Sequence, residues 1–309
     1  MEFKHYSVLL KESVDILSVQ DGGVYVDGTM GGGGHSFEIL SCGAGKLIGI
    51  DQDHEAICAS KKRLEDFGDR LIAVNRNFSE IKDILEDLGI GEIDGAVLDL
   101  GVSSYQLDNA ERGFSYMHNA PLDMRMNQNS KLNAYEVINE YTESELTRIF
   151  YEYGEEKWSK RIAKFITDRR SKAKIETTGE LADIVKAAIP KGARQDGGHP
   201  AKRVFQAVRI EVNGELRILQ RAVEDFIDVL KPGGVLSVIT FHSLEDRIVK
   251  QTFARLAQGC TCPKSFPVCV CGKEPQVKLV MRKPVLPSQR ELSENSRSKS
   301  AKLRAAKRL

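Results

Sequence analysis

Three aspartates and a run of glycines are the residues best suited to chemistry in the first hundred positions. In "VYVDGTMGGGGHS", Val24 to Ser36, a strand-like run ends at Asp27 and four consecutive glycines follow. Asp51 ends the next apolar run, "KLIGIDQD", 20 residues after Gly31, and Asp99 ends "DGAVLDLG". Glycines let a backbone approach a ligand closely and turn sharply from strand to helix. A carboxylate at the end of a second strand can accept hydrogen bonds from both hydroxyls of a ribose. Asp53, two residues on, is the competing acid. A triphosphate-binding loop is excluded, because no Lys-Ser/Thr pair follows the glycines. The dinucleotide fingerprint would need its third glycine at position 36, which is Ser36. The pattern Asp-x-Gly-x-Gly-x-Gly fits better, as Asp27, Thr29, Gly31 and Gly33, with threonine in the first glycine position. A second candidate is "CTCPKSFPVCVC". Cys260, Cys262, Cys269 and Cys271 place four thiols in twelve residues. Such a set suits tetrahedral zinc, although the Cys-x-Cys spacing is tighter than the usual knuckle. Two disulfides are the alternative, disfavoured in a reducing cytosol. Cys42 and Cys58 stand apart and are expected to be reduced and structural.

The elements that must position these groups alternate. Strands are expected at "GVYVDGT", "KLIGIDQD", "RLIAVNRNF" and "DGAVLDLG". Helices are expected over His35 to Leu40, over "HEAICASKKRLEDFG" with Ile57, Ala59, Leu64 and Phe67 buried, and over "SEIKDILEDLGI" closed by Gly89. Late in the chain, "VEDFIDVLKPGGVLSVITFH" reads as a helix, a Pro-Gly-Gly turn and a strand. Such alternation implies a mainly parallel sheet covered on both faces, with ligands beyond the carboxyl ends of the strands. From Asp99 to Val235 is a gap of 136 residues. A strand-helix-strand crossover needs only about 30 residues, so a domain is inserted there. We place the main domain at residues 1–104 and 213–309 and the insertion at 105–212. The insertion looks helical. Thr142-x-x-Glu145 and Thr177-x-x-Glu180 fit capping boxes. Trp158, Ile162, Phe165 and Ile166 form an apolar stripe, while Pro190 and "KGARQDGGHP" mark a loop.

The chain has 309 residues, 41% of them hydrophobic, and a formal net charge of +1. Residues 1–104 carry 9 Lys+Arg against 19 Asp+Glu, residues 105–246 carry 21 against 22, and residues 247–309 carry 15 against 3. The helix face from Lys157 to Lys174 adds eight Lys+Arg and one Asp. A basic end and a basic insertion on a near-neutral chain suit a polyanion such as RNA, with residues 297–309 read as a basic tail. No apolar run is long enough to cross a bilayer. The charged start "MEFKHYSVLLKESV" lacks a signal-peptide core. A soluble, cytoplasmic protein without a membrane partner is expected. The sequence is compatible with a homodimer and does not require one.

The glycine pattern resembles the first motif of class I S-adenosylmethionine-dependent methyltransferases. "LKPGGVLSV" before a late strand is common in that class and unusual in dehydrogenases, the main rival. The resemblance then becomes specific. "HYSVLLKE", "DGTMGGGGHS", "LDLGVSSYQLD", "ERGFSY", "PLDMRM", "YGEEKWSKRIA", "FQAVRIEVNGEL", "FHSLEDRIVK" and "SAKLRAAKRL" run from one end to the other. Together they resemble the bacterial ribosomal RNA small subunit methyltransferase H family. The resemblance implies a Rossmann-like α/β fold with a mainly parallel sheet and an inserted helical domain. It also implies methyl transfer from S-adenosylmethionine to N4 of a cytidine in the decoding region of 16S rRNA, in the small ribosomal subunit. The family's cofactor contacts fall on Gly33, Gly34, His35, Asp51, Phe78, Asp99 and Gln106. No metal is required by the family.

An exocyclic amine attacking a sulfonium methyl needs alignment and an acceptor for its proton. The candidates lie in "DLGVSSYQLD": Asp99 and Ser103 first, then Ser104 and Asp108. A backbone carbonyl is the alternative acceptor. The cytosine must be unstacked to react, and Tyr105 and Phe114 are the rings that could hold it. Asp123, Arg125 and His242 either line the cleft or form ion pairs.

Overall fold

The computed structural model describes residues 7–195, 199–263, 268 and 270–309. Cys269, part of the "KGARQDGGHP" loop and the first two residues of "HYSVLLKE" lie outside the described residues. The chain forms two units. One comprises the chain to Gly101 together with Leu216–Leu309, and the other is Val102–Glu215. The sequence boundaries at 104/105 and 212/213 fall within three residues of these divisions.

The first unit is built on a seven-stranded sheet. Its strands are β1 (Val24–Asp27), β2 (Lys46–Ile50), β3 (Leu71–Val74), β4 (Ile93–Asp99), β5 (Leu230–Thr240), β6 (Val277–Leu279) and β7 (Lys302–Arg308), in the order β3-β2-β1-β4-β5-β7-β6. Strands β1 to β5 pair in parallel, and β7 runs antiparallel to both β5 and β6. The helices of this unit are α1 (Leu10–Leu17), α2 (Gly34–Ser41), α3 (His54–Arg63) and α4 (Ile81–Asp87). After the insertion come α11 (Glu215–Val229), α12 (Ser243–Leu256) and α13 (Gln289–Glu294).

Alternation along the strands divides the core into two layers, because successive side chains point to opposite faces. Val26, Ile48, Ile50, Ala96, Leu98, Leu236 and Val238 pack with α4, α11 and α12. Tyr25, Leu47, Val97, Val235 and Ala305 pack with α1 and α2. Burial on both faces explains why β4 and β5 read as continuous apolar runs instead of alternating ones. The Pro-Gly-Gly turn is absorbed into β5. Between the pairs Ile93–Leu230 and Gly95–Val235 the register shifts, so residues 231–234 bulge out of the ladder.

Two sequence expectations need correction here. Ala59 is exposed, and Ala56, Ile57 and Ser60 form the buried face of α3. More consequentially, residues 297–309 are not a tail. Residues Lys302–Arg308 form β7, inserted between β5 and β6, with Leu303, Ala305 and Ala306 buried. Lys302 and Arg304 both pair with Asp246, at 2.9 and 2.6 Å, and Arg308 pairs with Glu92. Three of the six cations that suggested a tail are thus members of a strand held by acids of this unit.

The second unit is helical: α5 (Ser104–Asp108), α6 (Ala134–Glu140), α7 (Glu143–Glu152), α8 (Ser159–Arg170), α9 (Thr178–Ala188) and α10 (Lys202–Asn213). The capping boxes expected at Thr142–Glu145 and Thr177–Glu180 start α7 and α9. Ile162 and Ile166 are fully buried, and Trp158 and Phe165 pack against the same core.

Candidate active site

In the sheet order, β1 lies between β2 and β4, so the connections leaving β1 and β4 run to opposite sides and open a crevice at their carboxyl ends. Asp27, Asp51 and Asp99 stand at or just past the ends of β1, β2 and β4. Nothing in a strand requires an acid at its last residue, so three at one sheet edge mark a site.

Asp27 closes the glycine loop. Its buried carboxylate accepts hydrogen bonds from Thr29 N–H at 3.2 Å and from the Ser36 hydroxyl at 2.7 Å. The loop turns through left-handed backbone at Gly31 (φ 48°) and Gly33 (φ 74°), which glycine adopts without strain. Gly34 then opens α2, and a Cβ there would clash with the Ser7 hydroxyl. Two of the residues that hold the loop's far side, Ser60 and Arg63, were not among the sequence candidates. The Ser60 hydroxyl donates to Gly31 O at 2.5 Å, Arg63 donates to Gly32 O at 2.7 Å, and Asp99 N–H donates to the Thr29 hydroxyl at 2.6 Å. Ser60 had a signal, being a polar residue on the apolar face of α3; Arg63 had none.

Asp51 and Asp53 now separate. Asp53 caps α3 by accepting from Glu55 N–H at 3.1 Å. Asp51 instead reaches the glycine loop, its two oxygens accepting from Gly31 N–H at 2.8 Å and Asp53 N–H at 2.9 Å. A carboxylate has about four acceptor sites, so each oxygen keeps a lone pair for a ligand hydroxyl. Phe78 follows β3 in a short 3-10 turn and is half-buried, its Cβ 3.4 Å from where a Cβ on Gly28 would stand. His35 is buried at the start of α2, its Nδ1 3.9 Å from Asp99 Oδ2.

The charge balance is one-sided. None of Asp27, Asp51 and Asp99 forms an ion pair with a lysine or arginine among the described residues, and Asp99 Oδ1 is buried without a hydrogen-bond partner among them. Burial pushes the carboxyl pKa values of Asp27 and Asp51 up to about 6. Burial, and then the carboxylates of Asp27, Glu245 and Glu291, hold Asp99 well above the usual carboxylate range. Anions crowded in a poorly solvated crevice favour a cationic ligand and oppose a pyrophosphate. Hydroxyl acceptors, a glycine cradle and negative potential suit a nucleoside that carries positive charge.

Other candidates fall elsewhere. His242 caps α12, with Nε2 3.0 Å from Glu245 Oε1. In the 102–215 unit, Ser103 and Gln106 form the capping box of α5. Gln106 N–H donates to the Ser103 hydroxyl at 3.2 Å, and Ser103 N–H donates to Gln106 Oε1 at 3.0 Å. Ser104 is half-buried; Tyr105 and Asp108 are exposed. Phe114 is buried in the helical core, so it cannot hold a base without unpacking. Asp123 and Arg125 form a two-point pair at 2.7 and 3.0 Å, with Arg125 also donating to Gln128 O and Ser130 O. They fasten a loop. Cys42 and Cys58 are exposed, not core residues.

Sheet order, glycine loop and strand-end acids together define the fold of the class I methyltransferases. Comparison with known proteins narrows this: the model of the MraW methylase family matches residues 2–309, and the chain belongs to that family. It is 58% identical over 311 residues to a protein of Clostridium botulinum (strain Loch Maree / Type A3) named Ribosomal RNA small subunit methyltransferase H, covering 100% of both chains. It is 55% identical over 307 residues to Ribosomal RNA small subunit methyltransferase H 2 of Agathobacter rectalis, covering 98% of each. Among the described residues no helix is long and apolar enough to cross a membrane.

Proposed function

We propose that this chain methylates the RNA of the small ribosomal subunit, using S-adenosylmethionine as donor and N4 of a cytidine in the decoding region of 16S rRNA as acceptor. The observation that carries the donor assignment is the crevice of unpaired acids around the glycine loop. The acceptor assignment rests on the names of the full-length relatives and on the sequence resemblance. When bound, S-adenosylmethionine supplies an electrophilic methyl carbon whose transfer leaves a neutral thioether.

The chain's own residues do the rest. Asp51 binds the ribose hydroxyls. Gly33 and Gly34 admit the ligand beside the loop backbone. The N–H groups that open α2 at His35 meet a carboxylate, where the helix dipole is favourable. Phe78 covers the adenine. Asp99 faces positive charge, and its raised pKa also makes it a stronger base than an ordinary carboxylate. Asp99 is therefore the group to receive the proton that the amine loses.

The 102–215 unit supplies the grip on RNA. Lys160, Arg161 and Lys164 are exposed on α8, with exposed Lys157 in the turn before it and exposed Lys172 and Lys174 after it. Phosphate contacts of this kind position a nucleic acid without reading its sequence. The test is mass analysis of nucleosides from 16S rRNA of cells with and without the gene. N4-methylated cytidine must disappear with the gene and return with the wild-type copy. Unchanged nucleosides overturn the assignment.

A further inference from the structure

Between α12 and β6 the described residues form no helix or strand. The segment is closed at its base by Gln276 N–H donating to Leu256 O at 2.9 Å. Between residues 258 and 276, none of the described residues is buried, and Val268 and Val270 are 70% and 74% exposed. Described residues with so little apolar burial contribute little to offset the entropy of ordering them, so another constraint is needed.

Three sulfurs meet there. The Sγ atoms of Cys260, Cys262 and Cys271 all lie within 4.8 Å of one another. The Cys260 and Cys271 sulfurs are 3.7 Å apart. Thiolates on a tetrahedral zinc with bonds of about 2.3 Å are separated by roughly 3.8 Å, so this pair already stands at the spacing of a shared metal. A disulfide would bring the sulfurs to about 2.05 Å. Each sulfur also accepts a backbone N–H at 3.4 Å: Cys260 from Cys262, Cys262 from Val270, and Cys271 from Thr261. Donors aimed at all three sulfurs stabilise thiolate charge and fix ligand orientation, as supporting hydrogen bonds do around metals.

We propose that Cys260, Cys262 and Cys271 bind a structural zinc ion that staples this loop. Each thiol that ligates gives up its proton, no electron is transferred, and a further donor completes the tetrahedron. The base of the loop is then fixed by a backbone hydrogen bond and its outer half by the metal. The site serves folding, and the methyl-transfer crevice does not use it.

The test uses the full chain purified under reducing conditions from zinc-supplemented medium. Elemental analysis should find about one zinc ion per chain. Stripping the wild-type chain with a chelator and adding cobalt should produce thiolate-to-cobalt charge-transfer absorption together with the visible bands of a tetrahedral ion. Trypsin should cut after Lys273 faster in the stripped chain than in the zinc-loaded one. The variant carrying Cys260→Ser, Cys262→Ser and Cys271→Ser should lose the metal, whereas Cys42→Ser with Cys58→Ser should keep it. A single Cys262→Ser should weaken cobalt binding by more than the ~10–100-fold typical of losing a supporting hydrogen bond. Three results overturn the proposal: substoichiometric zinc, metal retained by the triple variant, or no charge-transfer band on cobalt loading. A thiol count that shows these cysteines oxidised in the reduced preparation also overturns it. The cobalt experiment needs only the wild-type chain, so it decides the matter even if the triple variant misfolds.

Discussion

Replacing Asp51 by asparagine keeps the shape of the side chain and removes its charge and part of its acceptor capacity. In the wild type, Gly31 N–H and Asp53 N–H each occupy one site on an Asp51 oxygen, leaving one site per oxygen for a ribose hydroxyl. Asparagine turns one oxygen into an N–H2 group that faces a donor, so at least one of the ligand's hydroxyls is left without an acceptor. Losing such a bond should cost about 1–3 kcal/mol, a ~5- to ~150-fold rise in Kd. Calorimetric titration with S-adenosylmethionine, well above pH 6, reads this directly. The control ligand is an analogue lacking the ribose hydroxyls, which wild type and Asp51→Asn should bind alike. The control variant is Asp53→Ala, which removes the cap of α3 and should lower stability by about 1 kcal/mol while leaving affinity within a few-fold. Unchanged affinity in Asp51→Asn, or an equal loss for the hydroxyl-free analogue, would refute the reasoning. A large affinity loss in Asp53→Ala would transfer the ribose contact to that residue.

Three further outcomes follow from the same structure. Asp27 and Asp51 titrate near 6 in the folded chain against 3.8 for an unperturbed aspartate. The folded state therefore holds their protons more tightly, and their stabilisation is fullest below the unfolded value and lost as pH rises through about 6. For buried Asp27 the ionised form costs about 3 kcal/mol. A cationic ligand competes with those protons, so cofactor affinity should fall as pH drops through about 6, and calorimetry in buffers of different ionisation enthalpy should detect proton release on binding. Leu303→Ala, in the middle of β7, should cost about 2–5 kcal/mol of unfolding free energy, measured by urea titration; a negligible cost would restore the reading of this segment as a tail. Reversing charge with Lys160→Glu and Arg161→Glu should weaken binding to the small subunit and flatten its salt dependence while calorimetric cofactor affinity stays unchanged; a full salt dependence in the variant would make α8 a merely solvated face.

Much of the site was legible because it depends on local chain geometry. The glycines, Asp27 and Asp51 sit at fixed offsets from strands whose apolar runs are unmistakable, and capping boxes announce α7 and α9 within four residues. What failed was long-range. Lys302 to Arg308 alternates like a strand, yet four charged residues, two alanines and one leucine, with no aromatic or β-branched side chain, carry little strand propensity. Only the pairing with β5 and the acid at Asp246 reveal its place. Phe114 was ambiguous for the converse reason: an aromatic near a suspected cleft has the same sequence appearance whether it stacks on a base or fills a core. Glu245 and Glu291, which help raise the Asp99 pKa, lie 46 residues apart in the chain, and no spacing rule links them to β4.

The insertion between β4 and α11 also sets the order in which the chain assembles. Gly95 must find Val235 as its strand partner across 140 residues of sequence, whereas helices α6 to α10 pack mainly on near neighbours in the chain. Closing a flexible loop of that length costs about 1.4 kcal/mol more than closing one of about 30 residues, and contacts so far apart form late. The helical unit should therefore collapse first and shorten the effective loop, turning a slow search by β4 for β5 into a short one. Refolding followed by far-ultraviolet circular dichroism should show helix appearing in an early phase, with the sheet and its acid-lined crevice completed in a later one.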